Sequence, residues 1–287
     1  MPRTDVLDST MFHRELGSGS ATPIVFLHGN PTSSHLWREV MPAVGGPGRL
    51  LAPDLIGMGE SGKPAIGYSF DDQARYLEAW FDALGLDEAV LVGHDWGGAL
   101  AFDLAARAPG RIKGIAVTET IVKSMDWAEF PEGGRELFAA IKTPGVGESM
   151  LLDQNLFLDL SGTVAGEISE ADAAAYRAPY PTRDSRLPIL RWARSMPLGG
   201  EPADVVARVD AYGEWLAASP EVPKLLITFA AGPGTMLHRE MIDWCSANFA
   251  ALEIAHHDVP AGHHTPEDRP GEIADSIRAW TEEHGLR

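Results

Sequence analysis

What recurs along this chain is a short apolar run that ends in a turn and gives way to a stretch of helical spacing. Ile24 to Leu27 stops at His28 and Gly29, Leu50 to Ala52 stops at Pro53 and Asp54, and Ala89 to Val92 stops at Gly93. Ile112 to Val117, Pro223 to Phe229 and Leu252 to Ile254 are the later runs. Between them lie amphipathic segments such as Asp71 to Leu84, which sets Ala74, Leu77, Phe81 and Leu84 on one helical face. Strands that alternate with helices form a largely parallel sheet covered on both sides. In such sheets chemistry sits at the carboxyl ends of the strands, where these turns fall.

The rhythm breaks between Val122 and Leu198. Pro131, the Ser169 to Asp172 helix start and Pro179, Pro181, Pro188 and Pro197 mark helices and loops without a strand. An insertion of this kind reads as a cap over the strand ends. The expected division is a core from 1–121, a helical cap from 122–198 and a second core part from 199–287, with Asp204 to Ala218 as the helix that leads back into the sheet.

Composition excludes several functions. A net charge of −18 repels nucleic acid and anionic membranes. Cys245 is the single cysteine, so neither an internal disulfide nor a cysteine metal cluster is available. The first residues carry no signal-like apolar core, and no run reaches the ~18 apolar residues of a membrane span. A soluble cytoplasmic protein is the expectation. Nothing in the sequence sets an oligomeric state.

Gly93, His94, Asp95, Trp96 and Gly97 lie between a β-rich run and the helix-forming Ala99 to Leu104. This is the Gly-x-nucleophile-x-Gly form of a strand-to-helix elbow. Its central residue is Asp. A carboxylate needs no prior deprotonation to displace a leaving group at an alkyl carbon, and the resulting ester can be cleaved by water. A tight turn with an Asp helix cap is the plainer reading of the same residues.

Other residues turn the balance towards catalysis. The turn His28 to Pro31 follows an earlier strand, where an oxyanion-hole N–H belongs, and His28 is read as holding that loop. His263, after the last run, stands in the right chain order for a base. The loop Ala230 to Thr235 contains no carboxylate, whereas Glu119 ends the run that precedes the insertion. Glu119 is therefore the candidate for orienting His263, against the alternative of a surface residue. An Asp introduced at Gly232 would then be expected to supply the acid from the other strand.

With these residues in place the chain resembles the haloalkane dehalogenases of the α/β-hydrolase superfamily over nearly its whole length. The matching blocks are His28 to Ser34 with Leu36, Trp37 and Arg38, then Asp54 to Gly59 and Gly93 to Gly97. Further along they are Trp127 to Pro131, Trp192 with Arg194 and Pro197, and Pro202 to Val206. The resemblance implies an α/β-hydrolase fold with an inserted helical cap. It implies Asp95 as nucleophile, His263 as base and Glu119 as the triad acid. It implies the side chains of Asn30 and Trp96 as halide donors, with their backbone N–H groups as the oxyanion hole. Pocket walls by the same matching are Phe130, Phe138, Phe157, Trp192 and Met236. The implied partners are a small halogenated hydrocarbon, water and the halide product, with no metal or organic cofactor. Leu158 to Ile168 looks shortened against the family, Pro144 to Glu148 looks extended, and Ala193 replaces a common Pro.

Two alternatives stay open on sequence. Epoxide hydrolases use the same Asp and His together with two cap tyrosines, for which Tyr176 and Tyr180 are available. A ligand receptor or an oxidative light-emitting relative could also use this fold.

Overall fold

The apolar runs become strands. The computed structural model describes residues 2–287. Its strands are β1 (Arg3–Val6), β2 (Ser9–Leu16), β3 (Ala21–Leu27), β4 (Gly48–Pro53), β5 (Ala89–Asp95), β6 (Ile112–Thr120), β7 (Lys224–Ala231) and β8 (Leu252–Ala261). They form one sheet in the order β1-β2-β4-β3-β5-β6-β7-β8. β1 pairs antiparallel with β2 and β2 with β4, and the remaining pairs are parallel. The β1–β2 hairpin and the second half of β8 lie beyond the strands expected from sequence.

Each central strand is buried on both faces, which explains its unbroken apolar sequence. Val25, Leu27 and Leu91 face one core, shared with α2 (Phe70–Ala83), α3 (Trp96–Arg107), α8 (Ala203–Ala218) and α9 (Arg239–Asn248). Ile24, Phe26, Val90 and Val92 face the other, closed by α1 (Val40–Val44) and α11 (Pro270–Glu283). Cutting a fully buried Leu27 or Leu91 back to Ala costs about 2–5 kcal/mol in such a core. Helix α2 starts where expected because Ser69 caps it. Its hydroxyl accepts from the Asp72 amide at 3.1 Å, while the Asp72 carboxylate accepts from the Ser69 amide at 3.1 Å.

The insertion between β6 and α8 is helical. It comprises α4 (Glu132–Lys142), α5 (Val146–Glu148), α6 (Glu170–Arg177), α7 (Leu187–Arg194) and single-turn pieces between them. Ile141, Leu151, Leu152, Leu158, Tyr180 and Ile189 give this cap a small core of its own. The short helix α10 (Thr265–Asp268) follows the end of β8. No helix among the described residues is long and apolar enough to cross a membrane.

Candidate active site

Strand order decides what meets at the carboxyl edge. β3, β5 and β6 are neighbours and β8 lies two strands further on. Their ends bring Asn30, Asp95, Glu119 and His263 under the cap.

Asp95 is the last residue of β5 and lies directly before α3. Its backbone has φ 52° and ψ −126°, a strained conformation of the sort that costs about 1–3 kcal/mol and is held only by its surroundings. The Thr120 hydroxyl donates to the Asp95 carbonyl at 2.7 Å and pins the turn. The Asn30 amide donates to Asp95 Oδ2 at 2.8 Å, and the Trp96 amide donates to the same carboxylate. Gly29 permits this approach, since a Cβ there would lie 2.3 Å from Asp95 Oδ2. Burial raises the Asp95 pKa above the ordinary carboxylate value, opposed by His263 and the two amides.

Glu119 reaches His263 through an irregularity in the sheet. His94 pairs with Thr118 and Asp95 with Thr120, so Glu119 is the residue left over in a bulge, with φ 43°. Bulges beside active sites re-aim a side chain. Here Glu119 is 5% exposed, and its carboxylate accepts from the amides of Met236 at 2.7 Å and Leu237 at 3.2 Å. His263 Nδ1 lies 3.3 Å from its Oε2, and His263 Nε2 lies 3.9 Å from Asp95 Oδ1. Burial alone would lower the His263 pKa. The Glu119 hydrogen bond and the charges of Asp95 and Glu119 outweigh it, and the pKa is raised above 6.5.

Two more histidines surround His263. His94 Nε2 meets the His263 carbonyl at 2.8 Å, and His264 Nδ1 meets Thr163 Oγ1 at 2.8 Å. The Thr163 hydroxyl donates its proton to the Leu160 carbonyl, so His264 Nδ1 must be the donor. Both imidazoles are buried near the His263 charge and titrate well below 6.5. They are neutral neighbours. His28 holds its loop, as expected: the Leu55 amide donates to its Nε2 at 2.9 Å, and Nδ1 faces the Gly29 carbonyl.

A cavity of about 550 Å³ lies above these groups. Asn30, Asp95, Trp96 and His263 line its floor, and Phe130, Phe138, Phe157 and Met236 line its walls. Trp192 does not line it. Its ring packs against that of Trp96, with centroids 4.6 Å apart and planes tilted by 34°. Tyr176 and Tyr180 are not in the lining either. The Tyr176 hydroxyl donates to Glu267, and both rings are 2% exposed within the cap. An Asp at Gly232 is excluded as well, because its Cβ would lie 2.4 Å from the Ala261 carbonyl. Among the described residues no group of three His, Cys, Asp or Glu side chains is arranged to hold a metal ion.

Sequence reasoning missed the amides of Met236 and Leu237, the Thr120 clamp and the Ile189 carbonyl, which accepts from Asn30 Nδ2 at 3.2 Å. Backbone partners leave little trace in residue types. The absent carboxylate in the Ala230 to Thr235 loop was the one signal that this loop serves Glu119 in another way.

Sheet, elbow and cap define an α/β hydrolase with a carboxylate at the elbow, and the α/β-hydrolase-fold family matches residues 22–143. A haloalkane dehalogenase of Mesorhizobium japonicum is 43% identical over 97% of this chain and 90% of that protein. One from Sphingobium indicum is 44% identical over 92% of this chain and 90% of its own. The crystal structure of the haloalkane dehalogenase DbeA from Bradyrhizobium elkani superposes with a TM-score of 0.93 at 44% identity, covering 99% of this chain and 98% of that one. The chain belongs to the haloalkane dehalogenases, hydrolases that act on carbon–halide bonds. The epoxide-hydrolase reading is set aside.

Proposed function

We propose that Asp95 opens the carbon–halide bond directly and that His263 then frees the alkyl group with water. Asp95 Oδ1 forms a bond to the substrate carbon as the halide departs with the bonding pair. The halide is received by the indole N–H of Trp96 and the Nδ2 amide of Asn30, donors in a site with mostly apolar walls. His263 Nε2 takes a proton from water as the water oxygen attacks Cγ of the ester. The charge that develops on Oδ2 falls between the backbone amides of Asn30 and Trp96. The departing alkoxide takes the proton back from His263, and the regenerated Asp95 carboxyl releases the second. Products are alcohol, halide and one proton.

The observation that carries this reading is the asymmetric surroundings of the Asp95 carboxylate. Oδ2 accepts from the Asn30 amide, whereas Oδ1 lies on the side of His263 at 3.9 Å. That gap is too long for a hydrogen bond, so the Nε2 lone pair remains for water. Glu119 fixes the tautomer by accepting from Nδ1.

We also infer the working division of the chain as core 1–121 and 199–287 with cap 122–198, in the cytoplasm, acting on small halogenated hydrocarbons. Halide release from 1-iodobutane or 1,2-dibromoethane tests the substrate class. Activity on epoxides with none on either halide would overturn it.

A further inference from the structure

We infer that cap helix α7 holds both halide donors in their working orientation, which makes Trp192 a positioning residue for carbon–halide cleavage. This inference rests on the reading of Asn30 and Trp96 given above. It starts from two contacts that share one turn of one helix. The Ile189 carbonyl accepts from Asn30 Nδ2 at 3.2 Å, and Trp192, three residues on, packs its tilted ring against Trp96. Ile189 is 1% exposed and Trp192 0%, so neither contact competes with bulk water.

Each contact removes a freedom that the donors would otherwise have. An amide can flip, which would exchange Nδ2 for Oδ1. A carbonyl at this point accepts only the NH2 end, because a flipped Asn30 would set two oxygen lone pairs against each other. One Nδ2 hydrogen is committed to Ile189 and one is left for the cavity that Asn30 lines. The indole of Trp96 has a parallel problem, since a tilt of the ring moves its N–H off the halide. Trp192 covers one side of that ring. Phe70, 5.9 Å from Trp96 and edge-on to Trp192 at 6.2 Å, completes the brace.

The helix is itself anchored. Arg194 forms a bidentate pair with Glu148, at 2.6 Å to each oxygen, and donates to the Ile141 carbonyl at 3.0 Å. That bond ties α7 to α4 and α5. A rotation of α7 would therefore disturb both donors together.

The test reads the leaving group. Chloride departs less readily than iodide and depends more on preorganised donors. Removing one such donor typically costs ~10²–10³ in rate, so a misplaced donor should cost roughly 10-fold. We compare Trp192→Leu and Trp192→Phe in halide release from 1-chlorobutane, 1-bromobutane and 1-iodobutane, with Asn30→Ala and Trp96→Phe alongside. Trp192→Leu should lose about 10-fold more on the chloride than on the iodide, and chloride should inhibit it less than it inhibits the parent. Trp192→Phe, which keeps a ring against Trp96, should recover most of that loss. An equal loss on all three halides, or none, in Trp192→Leu overturns the inference while Asn30→Ala and Trp96→Phe remain leaving-group dependent. If those two variants show no such dependence, the assignment of the halide donors fails first and takes this one with it. Should Trp192→Leu not fold, Trp192→Met carries the same comparison: a chloride-to-iodide ratio below the parent's supports the brace, and a ratio equal to the parent's overturns it.

Discussion

The Met236 amide donates to Glu119 Oε2 at 2.7 Å, so the loop after β7, which has no carboxylate of its own, holds that of Glu119. With Leu237 it supplies two N–H donors, and these hold the carboxylate in place beside His263 Nδ1. Glu119→Gln keeps the size of the side chain but presents an NH2 group to one of these donors. Folding should survive, and ester hydrolysis should slow by roughly 10²–10⁴-fold, the range set by loss of a well-placed acid–base partner. Alkylation should slow far less. Single-turnover halide release separates the two steps, and equal slowing of both would remove Glu119 from its role.

The two-step reaction predicts a trapped intermediate. His263→Ala, mixed with 1-iodobutane, should release about one halide per enzyme and then stop, because alkylation needs only ionised Asp95 and hydrolysis needs a base. Intact-protein mass should rise by one butyl group, and peptide mapping should place it on Asp95. His264→Ala is the internal comparison and should continue to turn over. Continued cycling by His263→Ala, or label on another residue, would contradict the mechanism.

The pH dependence follows from the raised pKa of His263. A base must be neutral to take a proton from water, so ester hydrolysis should weaken as pH falls through that raised value. Asp95 is uncharged once esterified, which removes one of the charges that raise it. Turnover should therefore extend further into acid than free His263 alone would allow. Rapid-quench measurements at pH 5.5 and 8 should show a similar halide burst and a slower steady state at 5.5. A burst that collapses in step with turnover would mean that Asp95, not His263, sets the acid limb.

Stability should also fall in acid. His94 and His264 stay neutral in the fold well below 6.5, whereas in the unfolded chain they take up protons near that value. Their folded pKa values lie below the unfolded one, so their effect is absent above about pH 6.5 and destabilises progressively below it. His263, shifted the other way, opposes this but is one group against two. Urea unfolding at pH 5 should have an earlier midpoint than at pH 7.5, and His264→Phe should reduce the difference. An unchanged pH dependence in that variant would show that His264 does not contribute.

Much of this was readable from residue types. The central strands announced themselves because burial on both faces demands unbroken apolar runs. The elbow at Asp95 was legible because a β-rich run, two flanking glycines and a helix-forming stretch in succession mark a tight strand-to-helix turn. The β1–β2 hairpin was not, since a sheet margin with a solvent face is written in mixed residues such as Arg3, Asp5, Arg14 and Glu15. β8 hid its second half behind His256, His257 and Asp258 for the same reason. Trp192 was misread as a wall because side-chain type says nothing of depth. It lies one ring further in than a pocket residue would.

The cap is not free to behave as one hinged lid. Its α7 end is tied to Asn30 and packs on Trp96. At Thr163 the cap is bonded to His264, and Asp268 binds the amides of Ala165 and Gly166 together with that of Gly262, directly before His263. From Glu132 to Leu160 it supplies cavity wall but, among the described residues, no hydrogen bond to Asn30, Asp95, Trp96, Glu119 or His263. Variation that retunes which halides are admitted therefore has a natural address. Residues such as Leu137, Phe138, Leu156 and Phe157 can be randomised as a library, while changes near Ile189 or Thr163 would alter the chemistry along with the choice of substrate.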